Sequence, residues 1–257
     1  MLSHRRILIL NYINEIGNVT VQELVEKFES SKATINRDLS TLEKESKLVR
    51  VIGGAISNKF KLTYEPVQLE KENAQKKYKD RIGAKALELI KDGMIIILDS
   101  GTTTLALAKQ INENKSFSDI TIVTNDLKVG MVFANNKSVH LIILGGQLRS
   151  SLFSLSGLIT LKSLVYVNAD IFFLGVDAVD IKKGVSNANF DEVEVKLKMM
   201  ESAKATVILA DYTKFNSYKI AKVCSLEAVS KVITDLRITH NEVKEIKEKC
   251  KDVIIAG

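Results

Sequence analysis

The segment Asp99-Ser100-Gly101-Thr102-Thr103-Thr104 gathers the residue types best suited to chemistry in this chain. It follows an apolar run, Met94–Leu98, and precedes a stretch of helical character, Leu105–Ile111. A strand, a turn of small residues and a helix start together make an anion site. The first N–H groups of a helix lack intrahelical partners, and the helix dipole adds partial positive charge there. Gly101 lets the backbone come close to a ligand, and Ser100, Thr102, Thr103 and Thr104 add hydroxyl donors. The ligand this suits is a phosphate, with Asp99 at the strand end placed to hold a neighbouring hydroxyl group. The simpler reading is that Ser100 or Thr102 caps the helix. A cap needs one such residue, whereas five consecutive small residues stand here.

Such a turn has to be held by a sheet. From Lys91 onward apolar runs alternate with helical patterns. The strand candidates are Met94–Leu98, Ile120–Thr124, Val139–Leu144, Ile171–Val176, Thr206–Ala210, Ile220–Cys224, Lys231–Thr234 and Val253–Ile255. The helix candidates are Thr103–Ile111, Leu127–Asn135, Ser156–Asn168, Phe190–Ala203 and Asn241–Cys250. Continuous Ile/Val/Leu runs imply strands covered on both faces, as in a mostly parallel α/β sheet. Ligands of such sheets sit at the carboxyl ends of the strands. Further polar loops fall at those ends: Thr124-Asn125-Asp126, Gly145-Gly146, Gly175-Val176-Asp177 and Asp211-Tyr212-Thr213-Lys214. The candidate ligand-binding set is therefore Asp99, Ser100, Gly101, Thr102, Thr103, Thr104, Thr124, Asn125, Gly145, Gly146, Lys196 and Lys214. Taken singly, Asn125 or Asp126 reads as a helix cap, Gly145-Gly146 as a turn, and Lys196 as an i,i+4 partner of Glu192.

The first 60 residues have a different pattern. Arg6–Ile16 carries apolar residues at Ile7, Leu10, Ile13 and Ile16, a helical spacing ended by Gly17-Asn18. Thr20 and Glu23 form a capping-box pair before a short second helix marked by Val21, Leu24, Val25 and Phe28. Ser31 can cap a third helix that buries Ile35, Leu39 and Leu42. Alternation through Leu48–Ile52, then Gly53-Gly54, predicts a β-hairpin. Three short helices and a hairpin make a winged helix-turn-helix, whose third helix enters the DNA major groove. The outward residues Lys32, Thr34, Asn36, Arg37 and Ser40 can reach phosphates and base edges, and Arg50 on the hairpin can meet the DNA backbone. A tri-helical protein-interaction module is the alternative. Nine basic against seven acidic residues in this region leave the case resting on pattern.

Composition sets the remaining bounds. The 257 residues are 46% hydrophobic and 26% charged, with net charge +6, ordinary for a globular protein and permissive of nucleic-acid binding. No apolar run approaches the ~18 residues of a membrane span, and the N-terminus lacks a signal-peptide cleavage pattern. Cys224 and Cys250 have neither disulfide-framework nor metal-ligand spacing, so a reducing cytoplasm is expected and no metal or cofactor is called for. The predicted organisation is residues 1–57 as the winged helix-turn-helix, 58–74 as a linker and 75–257 as an α/β effector-sensing domain. A helix is expected near Val67–Ile90, with its Lys/Glu run as a solvated face.

Together these segments resemble the DeoR family of bacterial transcriptional regulators, over most of the chain from about Ser3 to Asp235. The resemblance rests on Arg5-Arg6-Ile7-Leu8, Val21-Gln22-Glu23-Leu24, Thr34–Leu39 and Gly53-Gly54-Ala55. Further along it rests on Leu98–Thr104, Val123-Thr124-Asn125, Leu144-Gly145-Gly146, Phe173-Leu174-Gly175, Glu192–Lys196 and Ala210–Phe215. It implies an N-terminal winged helix that binds double-stranded operator DNA. It also implies a C-terminal domain related in fold to sugar-phosphate isomerases, sensing a phosphorylated sugar, in a repressor released by that effector. Two departures stand out: Asn36 where the family often has a first arginine, and Val176–Asp180 where it often has a glycine-containing loop. A homodimer or higher oligomer is expected, because such regulators read paired half-sites. The rival class is a sugar-phosphate isomerase or deaminase using Asp99, Glu192, Glu194, Lys196 or Lys214 as acid and base. No histidine falls at that sheet edge, and the attached winged helix favours sensing, without catalytic residues.

Overall fold

A computed structural model describes residues 4–65, 68–250 and 252–257. The chain forms two compact units that divide at residues 66–67. Pro66 and Val67, the middle of the expected linker and the start of its expected helix, lie outside the described residues, as does Ser3.

The first unit runs α1 (His4–Ile16), β1 (Asn18–Thr20), α2 (Val21–Lys27), α3 (Lys32–Lys44), β2 (Leu48–Val51) and β3 (Gly54–Ser57). β1, β3 and β2 form a three-stranded antiparallel sheet, so the expected hairpin gains a third strand. The capping box of Thr20 and Glu23 is present, and Ser31 accepts the Thr34 N–H to cap α3. Ile9, Ile13, Leu24, Ile35, Leu39, Leu42 and Leu48 build the core. The expected phase of α1 is corrected. Ile9 and Ile13 are buried, whereas Ile7 and Ile16 are 43% and 54% exposed. Ile7-Leu8-Ile9-Leu10 is apolar all round the helix, so periodicity alone does not choose the buried stripe.

The second unit runs α4 (Gln68–Asn73), α5 (Lys76–Leu87), β4 (Ile95–Leu98), α6 (Thr102–Glu113), β5 (Ile120–Thr124), α7 (Leu127–Phe133) and β6 (Val139–Ile143). It continues with β7 (Gln147–Arg149), β8 (Ser154–Ser156), α8 (Leu158–Leu164), β9 (Ile171–Gly175), β10 (Ala178–Asp180), β11 (Gly184–Asn187) and α9 (Phe190–Glu201). It ends with β12 (Thr206–Leu209), β13 (Ala221–Cys224), β14 (Lys231–Asp235), α10 (His240–Lys247) and β15 (Asp252–Ala256). A seven-stranded sheet has the order β15-β14-β12-β9-β4-β5-β6, and every pairing in it is parallel. Successive side chains feed opposite faces. Ile97, Phe172, Leu174, Ile208 and Val232 pack on one side. Ile96, Leu98, Phe173, Leu209 and Ile233 pack on the other. Strand order reverses at β4, which lies between β5 and β9, so the crevice outside the ends of β4 and β9 is the topological switch point where such sheets bind ligands.

Three expectations change. The strand near Ile220–Cys224 leaves the main sheet and pairs antiparallel with β11 in a sheet of order β10-β11-β13. The single helix expected after residue 67 is two helices, broken where Gln75 adopts φ 56°. The Lys/Glu run is not merely a solvated face, because Glu72 on α4 pairs with both Lys109 and Lys128.

Candidate functional site: a polar cleft at the sheet edge and an exposed helix face

The turn after β4 opens on a cleft lined by Gln68, Lys71, Ser100, Gly101, Thr102, Thr103, Leu152, Gly175, Val176, Asp177, Asn187, Glu192, Lys196 and Lys214. The N-cap of α6 is Gly101, at φ 154°, and no side chain caps this helix. That φ is unfavourable for any residue with a Cβ. The cap reading of Ser100 or Thr102 therefore fails, and the first N–H groups of α6 stand at the cleft with a helix dipole behind them. Thr104 lies beneath, fully buried, its hydroxyl donating to the Gly101 carbonyl at 2.8 Å.

Asp99 is buried at the end of β4 and accepts from Ser100 N at 2.8 Å, from Gly175 N at 2.9 Å and from the Lys196 ammonium. Expected to hold a ligand hydroxyl, it instead ties the turn to β9 and to α9. Lys196 also donates to the Gly175 carbonyl at 3.0 Å. Its partner is thus Asp99, ninety-seven residues away, and not the i,i+4 Glu192 of the sequence reading. Two of its three N–H groups are engaged among the described residues, which leaves one for a ligand. Lys214, on the single turn Tyr212–Lys214, brings a second ammonium to the same cleft.

The other expected residues have structural tasks. The Thr124 hydroxyl accepts from Asp126 N at 3.1 Å, and Asn125 Nδ2 donates to the Leu155 carbonyl at 2.9 Å. Asp126 caps α7 by accepting from Lys128 N and Val129 N. A Cβ at Gly146 would lie 2.2 Å from Thr160 Oγ1, and the same hydroxyl donates to the Gly145 carbonyl at 2.6 Å. Those glycines seat α8; neither is among the cleft-lining residues.

In the first unit, Lys32, Arg37 and Ser40 are exposed on α3, and Thr34 and Asn36 are half-buried. Thr34 Oγ1 lies 2.9 Å from Ser31 Oγ. Asn36 Nδ2 donates to the Lys32 carbonyl at 2.9 Å, while its Oδ1 accepts from Arg50 Nη2 at 2.9 Å. Arg50 Nε donates to the Gly54 carbonyl at 3.2 Å. Arg50 therefore braces α3 against the wing and occupies the Asn36 amide oxygen. Asp38, on the inner side of α3, pairs with Arg5 at 2.6 Å and with Arg6 at 3.5 Å.

Residues 5–61 match the family model of the DeoR-like helix-turn-helix domain, and residues 74–236 match that of the DeoR C terminal sensor domain. The chain belongs to the DeoR family of transcriptional regulators. It is 32% identical over 256 residues to a protein of Escherichia coli O157:H7 named as an aga operon transcriptional repressor, covering 99% of this chain and 94% of that one. It is 29% identical over 229 residues to the glycerol-3-phosphate regulon repressor of E. coli K12, covering 88% of each. Among solved structures, ribose 5-phosphate isomerase A of Methanocaldococcus jannaschii matches over 55% of each chain, at 18% identity and a TM-score of 0.41. Family membership removes the enzyme alternative, since the family is one of transcriptional regulators. Among the described residues no helix is long and apolar enough to cross a membrane.

In this DeoR sensor unit the cleft is electrostatically organised. Burial works to lower the Lys196 pKa, but Asp99 and Glu192 outweigh it and hold the ammonium above its ordinary value. Burial likewise opposes ionisation of Asp177, but Lys71 and Lys214 outweigh it and hold the carboxyl far below the usual range. Asp177 accepts from Lys71 Nζ at 3.0 Å. Glu192 is met by Arg149 at 2.7 Å and by Asn187 Nδ2 at 2.9 Å. Gln68, Lys71, Asp177 and Asn187 are cleft residues outside the sequence-predicted set. Gln68 and Lys71 sat in the expected linker, and only the laying of α4 along this edge brings them in. Asn187 could have been noticed in the polar run Ser186-Asn187-Ala188-Asn189 before α9.

Proposed function

We propose that this DeoR-family regulator represses a carbohydrate operon, that Lys32, Arg37 and Ser40 on α3 read its operator, and that a phosphorylated sugar in the sensor cleft ends repression. The observation that carries the effector reading is the α6 N-terminus: a twelve-residue helix without a side-chain cap, opening on a cleft with Lys196 and Lys214. Uncompensated N–H groups and two ammonium groups favour a dianion. Ser100, Thr102 and Thr103 supply hydroxyl donors to the same group. The names of the relatives, repressors of the aga operon and of the glycerol-3-phosphate regulon, agree with this ligand class. The effector acts by preferring one of two states of the protein, since equal affinity for both would shift nothing.

The reading extends to a homodimer or larger homo-oligomer. β6 ends the main sheet, and Ile142 and Ile143 on it are exposed, as are Leu158 and Ile159 on α8. An open edge with apolar neighbours is a surface that proteins cover, and a second copy covers it symmetrically. The test of the whole reading is a gel shift on the DNA upstream of the gene and its neighbours, run with and without sugar phosphates. A shifted band released only by phosphorylated sugars supports it. A band indifferent to every one of them overturns it.

A further inference from the structure

Two residues that line the cleft carry buried amide oxygens without partners among the described residues. Gln68 and Asn187 are each 2% exposed, and both line the cleft. Gln68 Oε1 and Asn187 Oδ1 have no hydrogen-bond partner among the described residues. Their orientation is fixed by their other ends. Gln68 Nε2 donates to Asp126 Oδ2 at 3.2 Å, and Asn187 Nδ2 donates to Glu192 Oε2 at 2.9 Å. Turning either amide over would set a carbonyl oxygen against a carboxylate oxygen, so each NH₂ stays on its carboxylate and each oxygen stays free.

The carboxylates are themselves held. Asp126 receives Gly101 N, Lys128 N and Val129 N, and Glu192 receives Arg149. Neither amide can relax by finding another acceptor for its NH₂. A buried acceptor left unmade is destabilising, and two such oxygens in one cleft are what a site built for donors looks like before its ligand arrives. The two amides rest on different carboxylates. Gln68 shares Asp126 Oδ2 with Gly101 N, which puts it beside the phosphate-binding turn. Asn187 shares Glu192 with Arg149.

We infer that Gln68 and Asn187 are specificity-determining residues whose carbonyl oxygens accept hydrogen bonds from two O–H or N–H donors of the effector, one next to its phosphate and one further along its chain. This rests on the sugar-phosphate reading above and narrows it: the ligand is a phosphate ester that keeps free donors at both places, not a deoxy or fully substituted one. A site built to hydrogen-bond a donor rejects the analogue lacking it far more strongly than an apolar pocket rejects a missing methylene.

The experiment is calorimetry on the full chain with a panel of hexose and pentose phosphates, their unphosphorylated parents and their monodeoxyfluoro analogues. Fluorine keeps the size of a hydroxyl and cannot donate. For the tightest-binding sugar phosphate, fluorine at either of two positions should weaken wild-type binding at least tenfold. One of those penalties should vanish in Gln68→Met and the other in Asn187→Leu. A residue with only a structural role would weaken parent and analogue alike. Sugar phosphates that bind without any fluorine penalty, or with penalties unchanged in both variants, overturn the inference and leave the phosphate reading standing. An unphosphorylated sugar that binds as tightly and shows both penalties overturns the phosphate reading, and with it the phosphate-ester part of the inference, while supporting the two donor contacts. Binding of no panel member to the wild type overturns both.

Discussion

The face of α3 and the cleft beyond β4 and β9 solve recognition in opposite ways. On α3 the side chains proposed to read the operator, Lys32, Arg37 and Ser40, are exposed. What surrounds them is bracing: Arg50 on Asn36, and Arg5 and Arg6 on Asp38. In the cleft the polar groups are buried and bonded to one another, with Lys196 on Asp99, Lys71 on Asp177 and Arg149 on Glu192. The difference fits the partners. DNA is a large, regular polyanion that long, solvated side chains can meet at the surface. A small ligand has few atoms to hold, so its site needs desolvated groups fixed in advance, where each interaction counts for more. The same difference says that mutations in the cleft damage stability and response together, while mutations of the exposed α3 residues damage binding alone.

The largest effect is expected from Lys196→Met. It leaves Asp99 without its buried counter-charge, while Glu192 keeps Arg149, a loss of about 3–5 kcal/mol. Urea unfolding followed by circular dichroism measures it. A stability within about 1 kcal/mol of wild type would show that the cleft is no more internally coupled than the α3 face.

Thr102→Asp sets a carboxylate at the α6 N-terminus, where the ligand phosphate is proposed to sit. Negative charge at a helix start is favourable in itself, so folding should be intact and operator affinity near wild type. Response to the effector should disappear, with at least a hundredfold loss of its affinity. A variant released from DNA by the same effector concentration as wild type would break the assignment.

On the other side of the comparison, Arg37→Ala should weaken specific operator binding by about 1–3 kcal/mol if Arg37 meets a base edge, with thermal stability unchanged. Fluorescence anisotropy on operator and scrambled duplexes separates base reading from phosphate contact. Equal losses on both would make Arg37 a phosphate contact. No loss would remove it from the interface.

The smallest effect concerns Lys79, a buried lysine of α5 that donates to the Lys71 and Ala74 carbonyls at the end of α4. Burial brings its pKa down to about 8, against an unfolded value near 10.5. Between those values the unfolded chain holds a proton that the folded chain has lost. Lys79 therefore makes stability rise with pH from about 8 towards 10.5, by at most about 1.4 kcal/mol per pH unit. Subtracting the stability–pH curve of Lys79→Met from that of wild type isolates this slope. A flat difference across that window would contradict the burial-driven shift.

What could be read from sequence follows the same division. Ile35, Leu39 and Leu42 were placed correctly because a period of 3.6 on an otherwise polar helix has one phase, and the Thr20–Glu23 and Ser31 caps are local chemistry. α1 misled because Ile7–Leu10 is apolar on every side. In the second unit the parallel strands and the turn after β4 were legible from continuous β-branched runs. Which polar loops share the cleft was not. Gly145-Gly146 and Asn125 lie at strand ends like the others, but β7 and β8 pair across that edge and draw them into packing. Gln68 and Lys71 enter only because α4 packs on the same unit, a tertiary fact without a local signature. Asp99 stands at the expected strand end, but its bond to Lys196 joins residues ninety-seven apart, which an i,i+4 pairing of Lys196 with Glu192 does not reveal.

The most direct test of the account is a calorimetric titration of the wild-type chain with matched pairs of one sugar, phosphorylated and unphosphorylated, at low ionic strength. An uncapped helix N-terminus with two lysines should bind the phosphorylated member at least a hundredfold more tightly, and the difference should shrink as salt is raised. Equal affinity for the two members, or binding only of the unphosphorylated one, would contradict the claim that the turn after β4 is a phosphate site.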